Sequence, residues 1–290
     1  MSAYPVIALV WLLHFLPLSL LSRIGGAFGM LLYALARERR RVCLINLARC
    51  FPEMTEEARV VLAKRHFRVL ARSVLERGVL WWSSRERIMR LVRVRGREHF
   101  EREQGRPMIL LAPHFVALDA GLTRLTCEWE VTGIYATQKN PVYARVLHAG
   151  RTRFSEQQKG FSRQDGIRPA LAAIKAGLPF YYLPDQDYGA RDAMFLPFFG
   201  VPAATVTGMV RMARITGARI VPCVTRMLEG GAGYELVFHP AWDDYPSEDI
   251  AADTQRMNDF IEARVREMPE QYLWVHKRFK TRPPGEPKWY

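Results

Sequence analysis

Met108-Ile-Leu-Leu-Ala112, running on into Pro113-His-Phe-Val-Ala-Leu-Asp119, is the stretch on which the reading of this chain turns. Its apolar run is short and unbroken, as expected of a strand buried on both faces. Pro113 has no amide hydrogen with which to continue a ladder, so it ends that strand and leaves His114 at the carboxyl end. Leu118, Leu122 and Leu125 then recur at helical spacing, and a helix is expected over 116–127. Side chains five positions apart in a regular helix diverge by roughly 140°. His114 and Asp119 therefore meet only if the histidine sits in the turn and the acid in the first turn of the helix. So placed, a neutral imidazole can take a proton from a hydroxyl while a carboxylate on its other nitrogen fixes the tautomer. No serine or cysteine stands beside the histidine, which favours direct attack by a substrate hydroxyl over an acyl-enzyme. The plainer alternative is a histidine that caps the helix or is hydrogen-bonded in the core. The same spacing returns at His239 and Asp244 after the strand-like Tyr234-Glu-Leu-Val-Phe238, where a structural role is the better reading.

A second segment, Leu183-Pro-Asp-Gln-Asp-Tyr-Gly189, also follows a strand-like run, at 179–183, and brings two more carboxylates. Asp185 and Asp187 are expected to shape a pocket or accept sugar hydroxyls; a solvated turn explains them equally well. Further strands are expected at 91–95, 131–136, 219–225 and 234–238, with helices at 141–154, 167–176, 205–216 and 249–267. This alternation predicts an α/β fold with a central mixed, largely parallel sheet covered by helices. Ligands gather at the carboxyl ends of strands in such sheets, where His114, Asp185 and Asp187 all fall. Residues 42–90 read as helical, with Pro52 and Thr55-Glu-Glu57 marking a helix start. Gly230-Gly-Ala-Gly233 reads as a hairpin turn.

The 290 residues, 49% of them hydrophobic, suffice for one large α/β domain with an attached segment. Cys43, Cys50, Cys127 and Cys223 lack metal-site or disulfide spacing and read as buried free thiols in a reducing compartment. Tyr4 to Leu21 carries no formal charge, and a second apolar run covers Ile24 to Ala36, so residues 1–36 are expected to form an N-terminal membrane anchor. One spanning helix or a hairpin within one leaflet would serve, as would, more blandly, a buried core helix. Arg37-Glu-Arg-Arg-Arg41 follows directly, which by the positive-inside bias places 37–290 in the cytoplasm. The net charge of +13 rests on arginines at 85–97, then Arg145, Arg151, Arg153 and Arg163, and the tail from Lys277 to Arg282. It suits anionic lipid, phosphorylated substrates or an acidic carrier protein, and nucleic acid is not needed to explain it.

Together these blocks resemble a known family. His114-x4-Asp119, the 183–189 segment with Pro197-Phe-Phe-Gly200 after it, the strand Ile220-Val-Pro-Cys-Val224, and Glu270-Gln-Tyr-Leu-Trp-Val-His-Lys-Arg-Phe-Lys-Thr-Arg-Pro283 are similar in order and spacing to the late acyltransferases of lipid A biosynthesis. These lauroyl and myristoyl transferases belong to the lysophospholipid acyltransferase superfamily. The resemblance implies a glycerolipid acyltransferase-like fold and an enzyme facing the cytoplasm at the bacterial inner membrane. It would move a fatty acyl chain from acyl carrier protein to a hydroxyl of a Kdo-bearing lipid A precursor. The family's histidine and acid would be His114 and Asp119, and its substrate-binding arginine one of Arg145, Arg151, Arg153 and Arg163. Its third block would be Pro184 to Asp187 and the proline of its fourth Pro222. No cofactor and no metal are implied. Phe195, Phe198 and Phe199 are candidate walls of an acyl groove, though core packing explains them equally. Rival readings are acyl transfer to another membrane glycolipid or phospholipid, a metal-dependent hydrolase using His114, Asp119, Asp185, Asp187 and His239, and a non-catalytic basic protein of the membrane surface.

Overall fold

A computed structural model describes residues 4–135, 138, 140–155, 160–162, 164 and 166–290. Its centre is β2 (Met108–Leu111), whose four side chains are all fully buried, as an unbroken apolar run requires. β2 lies between β5 (Phe180–Tyr182) and β8 (Arg219–Met227), parallel to both. β3 (Thr132–Tyr135) and β4 (Phe161–Ser162) extend the parallel set beyond β5. On the other side β9 (Tyr234–Phe238) returns antiparallel to β8 through the Gly230–Gly233 turn, and β1 (Val92–Arg95) runs parallel to β9. The order β1-β9-β8-β2-β5-β3-β4 is thus mixed and largely parallel, as expected.

β6 (Ala193–Phe198) and β7 (Val201–Val206) form a separate hairpin. The sequence reading missed it, and began a helix at 205 that starts at Gly208. Two prolines hid the strands: Pro197 and Pro202 face each other across this isolated pair, where no third strand asks for their missing amides. Phe199 and Gly200, both at positive φ, supply the two-residue turn.

The helices cover both faces. α4 (Glu56–Leu75) begins where Thr55 Oγ1 accepts from the amide of Ala58. α5 (Arg77–Trp82) follows it, α8 (Leu118–Thr126) packs on β8, β9 and β1, and α9 (Pro141–Thr152) packs against α5 and α8. α1 (Tyr4–Leu13) and α2 (Leu18–Leu35) are separated at Pro17. α2 turns Leu18, Leu21, Gly25 and Gly29 inward and packs along α4. A Cβ on Gly29 would come within 2.4 Å of the Phe67 carbonyl, so the two backbones touch. Its other side leaves Leu20, Ile24, Phe28, Leu31 and Leu35 exposed, and α1 exposes Val6, Leu9, Trp11 and Leu12. Among the described residues, Leu18–Leu35 is the one helix long and apolar enough to cross a membrane. All four cysteines are buried and free.

Candidate active site

Register places the site. Leu111 of β2 stands opposite Tyr182 of β5; His114 lies three residues past the first and Asp185 three past the second, so they emerge side by side. The His114 amide donates to Asp185 Oδ2 at 3.0 Å and its Nδ1 donates to Oδ1 at 2.7 Å. That double grip fixes the ring and puts its proton on Nδ1, leaving Nε2 as the basic nitrogen. Nε2 has no hydrogen-bond partner among the described residues, and the side chain lines a cavity. Burial opposes the charge on Asp185, but His114 and its two hydrogen bonds outweigh it and hold the carboxyl below its ordinary value. Tyr272 lies against the same carboxylate; its hydroxyl is pushed well above the usual range by burial first and then by the Asp185 charge.

The C-terminal block pins the loop that carries the histidine. Phe115 bridges to Tyr272, the Val116 amide donates to the Gln271 carbonyl at 2.9 Å, and the Leu273 amide donates to the His114 carbonyl at 3.1 Å. Asp187 holds the same block from the other side. It accepts from the amide and hydroxyl of Thr281 at 2.7 and 2.8 Å and from the Gly189 amide at 2.9 Å, while its own amide donates to His276 Nε2 at 3.2 Å.

Asp119 is in the first turn of α8, as the spacing required, yet it is not the carboxylate on the imidazole. Its Oδ1 accepts from Arg151 Nε at 3.0 Å and Nη2 at 2.6 Å, and its Oδ2 lies 3.3 Å from Arg77 Nε. The carboxylate bonded to the imidazole is thus Asp185 and not the Asp119 expected from spacing, because the Asp119 side chain is engaged by Arg77 of α5 and Arg151 of α9. Burial disfavours its charge, but Arg151 and Arg77 overcome that and lower its pKa; Asp119 in turn raises that of Arg151. Two guanidiniums against one carboxylate leave positive charge beside His114.

Of the four arginines singled out in sequence, Arg151 is at the site. Arg145 is exposed and away from the cavity. Arg153 ties α9 to α5, donating to the carbonyl of Trp81 at 2.9 Å and to that of Ser83. Arg163 lies outside the described residues. Arg77 was missed, although an arginine opening the otherwise apolar Arg77-Gly-Val-Leu-Trp-Trp82 is the kind of signal that points to it. It also donates through Nη1 to the Tyr143 hydroxyl at 3.1 Å.

The cavity is about 1010 Å³ and mostly apolar, walled by Leu118, Leu122, Val131, Ile134 and Leu147, with His114, Asp119, Arg77 and Arg151 along its polar side. Phe198 and Phe199 belong instead to the packed core, and Phe195 does not reach the cavity. Of the five residues considered as metal ligands His114 and Asp185 meet, but no group of three that could hold a metal forms among the described residues. Asp119 and Asp187 are committed as described, and His239 packs edge-on against Phe260, its pKa lowered to about 4 by burial.

Such a site can draw a proton from a hydroxyl beside a bound hydrocarbon chain, which is the chemistry of acyl transfer to oxygen. A family model described as bacterial lipid A biosynthesis acyltransferase matches residues 1–281, and the chain belongs to that family. It is 34% identical over 287 residues to a lipid A biosynthesis lauroyltransferase of Escherichia coli, covering 98% of this chain and 93% of that one. It is 33% identical to a lipid A biosynthesis acyltransferase of Haemophilus influenzae over 95% of this chain and 86% of that one. Among solved structures, the 1-acyl-sn-glycerophosphate acyltransferase of Thermotoga maritima aligns with a TM-score of 0.42 and 15% identity, over 86% of this chain and 97% of that one, a likeness too loose to bear weight. The chain is thus an O-acyltransferase of lipid A biosynthesis.

Proposed function

We propose that this enzyme transfers a fatty acyl group from acyl carrier protein to a hydroxyl on an acyl chain of a Kdo-bearing lipid A precursor, at the cytoplasmic face of the inner membrane. The observation that carries the mechanism is His114, gripped through Nδ1 and its own amide by Asp185 while its other nitrogen is left to the cavity. Nε2 takes the proton from the acceptor hydroxyl as that oxygen attacks the thioester carbonyl. The tetrahedral intermediate collapses by expelling the carrier's thiolate, which receives the proton from His114. General-base catalysis of this kind supplies a factor on the order of 10²–10⁴. The positive cluster of Arg77 and Arg151 around Asp119 stabilises negative charge nearby, either the developing oxyanion or an anionic group of the acceptor.

Membrane attachment in this reading is through one leaflet. α2 cannot cross a bilayer while its backbone lies against α4, whose Arg65 and Arg68 are exposed. α1 is tied down too, its Val10 carbonyl lying where a Cβ of Gly78 would be, next to Arg77. Residues 4–36 are then an interfacial hairpin, its outer apolar side in lipid and the basic run Arg37–Arg41 at the headgroups, followed by the acyltransferase domain.

Incubating membranes that hold the enzyme with labelled acyl carrier protein and Kdo-bearing tetra-acylated precursor tests the reaction. Product should form with wild type and be nearly absent with His114→Ala. A folded wild type that acylates a glycerophospholipid but not this precursor would shift the acceptor to the rival lipid class.

A further inference from the structure

The cavity has two ends of different character. Near the carboxyl edge of the sheet Tyr188, Arg191 and Asp192 line it and are exposed; at the other end Thr126, Val131, Leu147 and Ser155 line it and are buried. α8 joins the two, because Leu118, Leu122 and Thr126 all face the cavity and stand at four-residue intervals. They form a stripe that leaves the neighbourhood of Asp119 and runs two turns into the protein, about 12 Å at the rise of an α-helix. The polar atoms at the buried end are already used. Thr126 Oγ1 donates to the Thr123 carbonyl at 2.9 Å and Ser155 Oγ to Glu130 at 2.6 Å, so the end accepts hydrocarbon rather than a headgroup. The wall behind cannot give way easily, since a Cβ on Gly150 of α9 would meet the Trp81 ring at 2.4 Å.

We infer that Thr126, Val131 and Leu147 close the slot for the transferred acyl chain and set the longest chain the enzyme accepts. This rests on the reading that His114 carries out transfer at the opposite end of the cavity. The class of ligand is a saturated or monounsaturated fatty acyl thioester, lying with its carbonyl at His114 and its methyl terminus at Val131.

The test is kcat/KM for a series of acyl thioesters of acyl carrier protein from octanoyl to stearoyl, with wild type, Leu147→Ala and Thr126→Leu. A methylene gained or lost in a closed apolar pocket changes discrimination by roughly tenfold or more. Leu147→Ala should raise the ratio for the next longer donor over the wild-type favourite by about that factor, and Thr126→Leu should shift preference the other way. Leu122→Phe, halfway along the stripe, gives an independent shortening should Thr126→Leu not fold. Variants that still transfer, with the wild-type order of chain lengths, would overturn the assignment. Wild type that transfers from no donor at all would overturn it together with the transfer reading beneath it.

Discussion

In the proposed mechanism His114 and Asp185 divide the work at the reacting centre, while Asp119 binds Arg151 and Arg77. Asp185→Asn keeps the volume but removes the charge that selects the Nδ1–H tautomer. The expected result is a fall in kcat on the order of 10²-fold or more, together with a modest fall in melting temperature from the lost charge. Asp119→Ala leaves Arg77 and Arg151 without their shared carboxylate; each side chain is 29% exposed, so the cost is expected below the roughly 3–5 kcal/mol of a fully buried pair. Activity set against melting separates the two variants: Asp119→Ala lowers the midpoint by releasing the arginine clamp, whereas Asp185→Asn loses far more turnover than its loss of stability explains. If Asp119→Ala melts like wild type, the clamp through Arg77 and Arg151 is not what holds α8, α9 and α5 together. In sequence the pattern His-x4-Asp gave both ends of the site, but not the partner of the imidazole. That partner is set by the register of β2 against β5, a long-range pairing that spacing along the chain does not encode. Asp187 reads in sequence like a second site acid and turns out to fasten Thr281.

At the scale of elements, the proposed attachment through one leaflet rests on the α2–α4 contact. Gly29→Leu forces side-chain atoms into the Phe67 and Arg68 backbone, and overpacking of this kind costs about 1–3 kcal/mol or more. Limited proteolysis should then cut within residues 14–36 faster than in wild type. Phe28→Asp with Leu31→Asp alters only the exposed side. Each apolar side chain withdrawn from lipid forfeits about 1.5–3 kcal/mol, so this double variant should move from the membrane to the soluble fraction while melting like wild type. A double variant still retained on membranes would show that this face is not the attachment surface. The apolar runs of α1 and α2 are plain in the sequence; their packing is not, since it rests on Gly25 and Gly29, whose missing side chains let α2 approach α4 closely. The strands of the main sheet were legible because their runs are apolar and bounded by turn residues. β4, of two residues, and the β6–β7 hairpin with its paired prolines carry no such signal.

For the molecule as a whole, the histidines that dock the C-terminal block predict a loss of stability in acid. His66 donates through Nδ1 to the Glu270 carbonyl at 2.9 Å, with Nε2 buried and unpartnered among the described residues, and His276 accepts from the Asp187 amide. Burial lowers both pKa values to about 4. In the unfolded chain a histidine titrates near ~6.5, so between those values the unfolded state binds more protons and stability rises with pH. The contribution is complete above about pH 6.5 and is lost as pH falls toward 4. The depressed carboxyls of Asp119 and Asp185 add a further loss below roughly pH 4, as each is protonated. Melting temperatures across that range should fall first in the histidine window, and His276→Gln should flatten part of that slope; an unchanged slope would exclude His276 as a source. Because the same block pins the His114 loop, activity should decline with stability.

The measurement that bears most directly on the central claim is kcat/KM for acyl transfer from acyl carrier protein to the Kdo-bearing precursor, compared among wild type, His114→Ala and Asp185→Asn in the same membranes. The account predicts a fall on the order of 10²–10⁴-fold in His114→Ala and a fall of about 10²-fold or more in Asp185→Asn, carried by kcat. A His114→Ala enzyme that keeps wild-type turnover would contradict it.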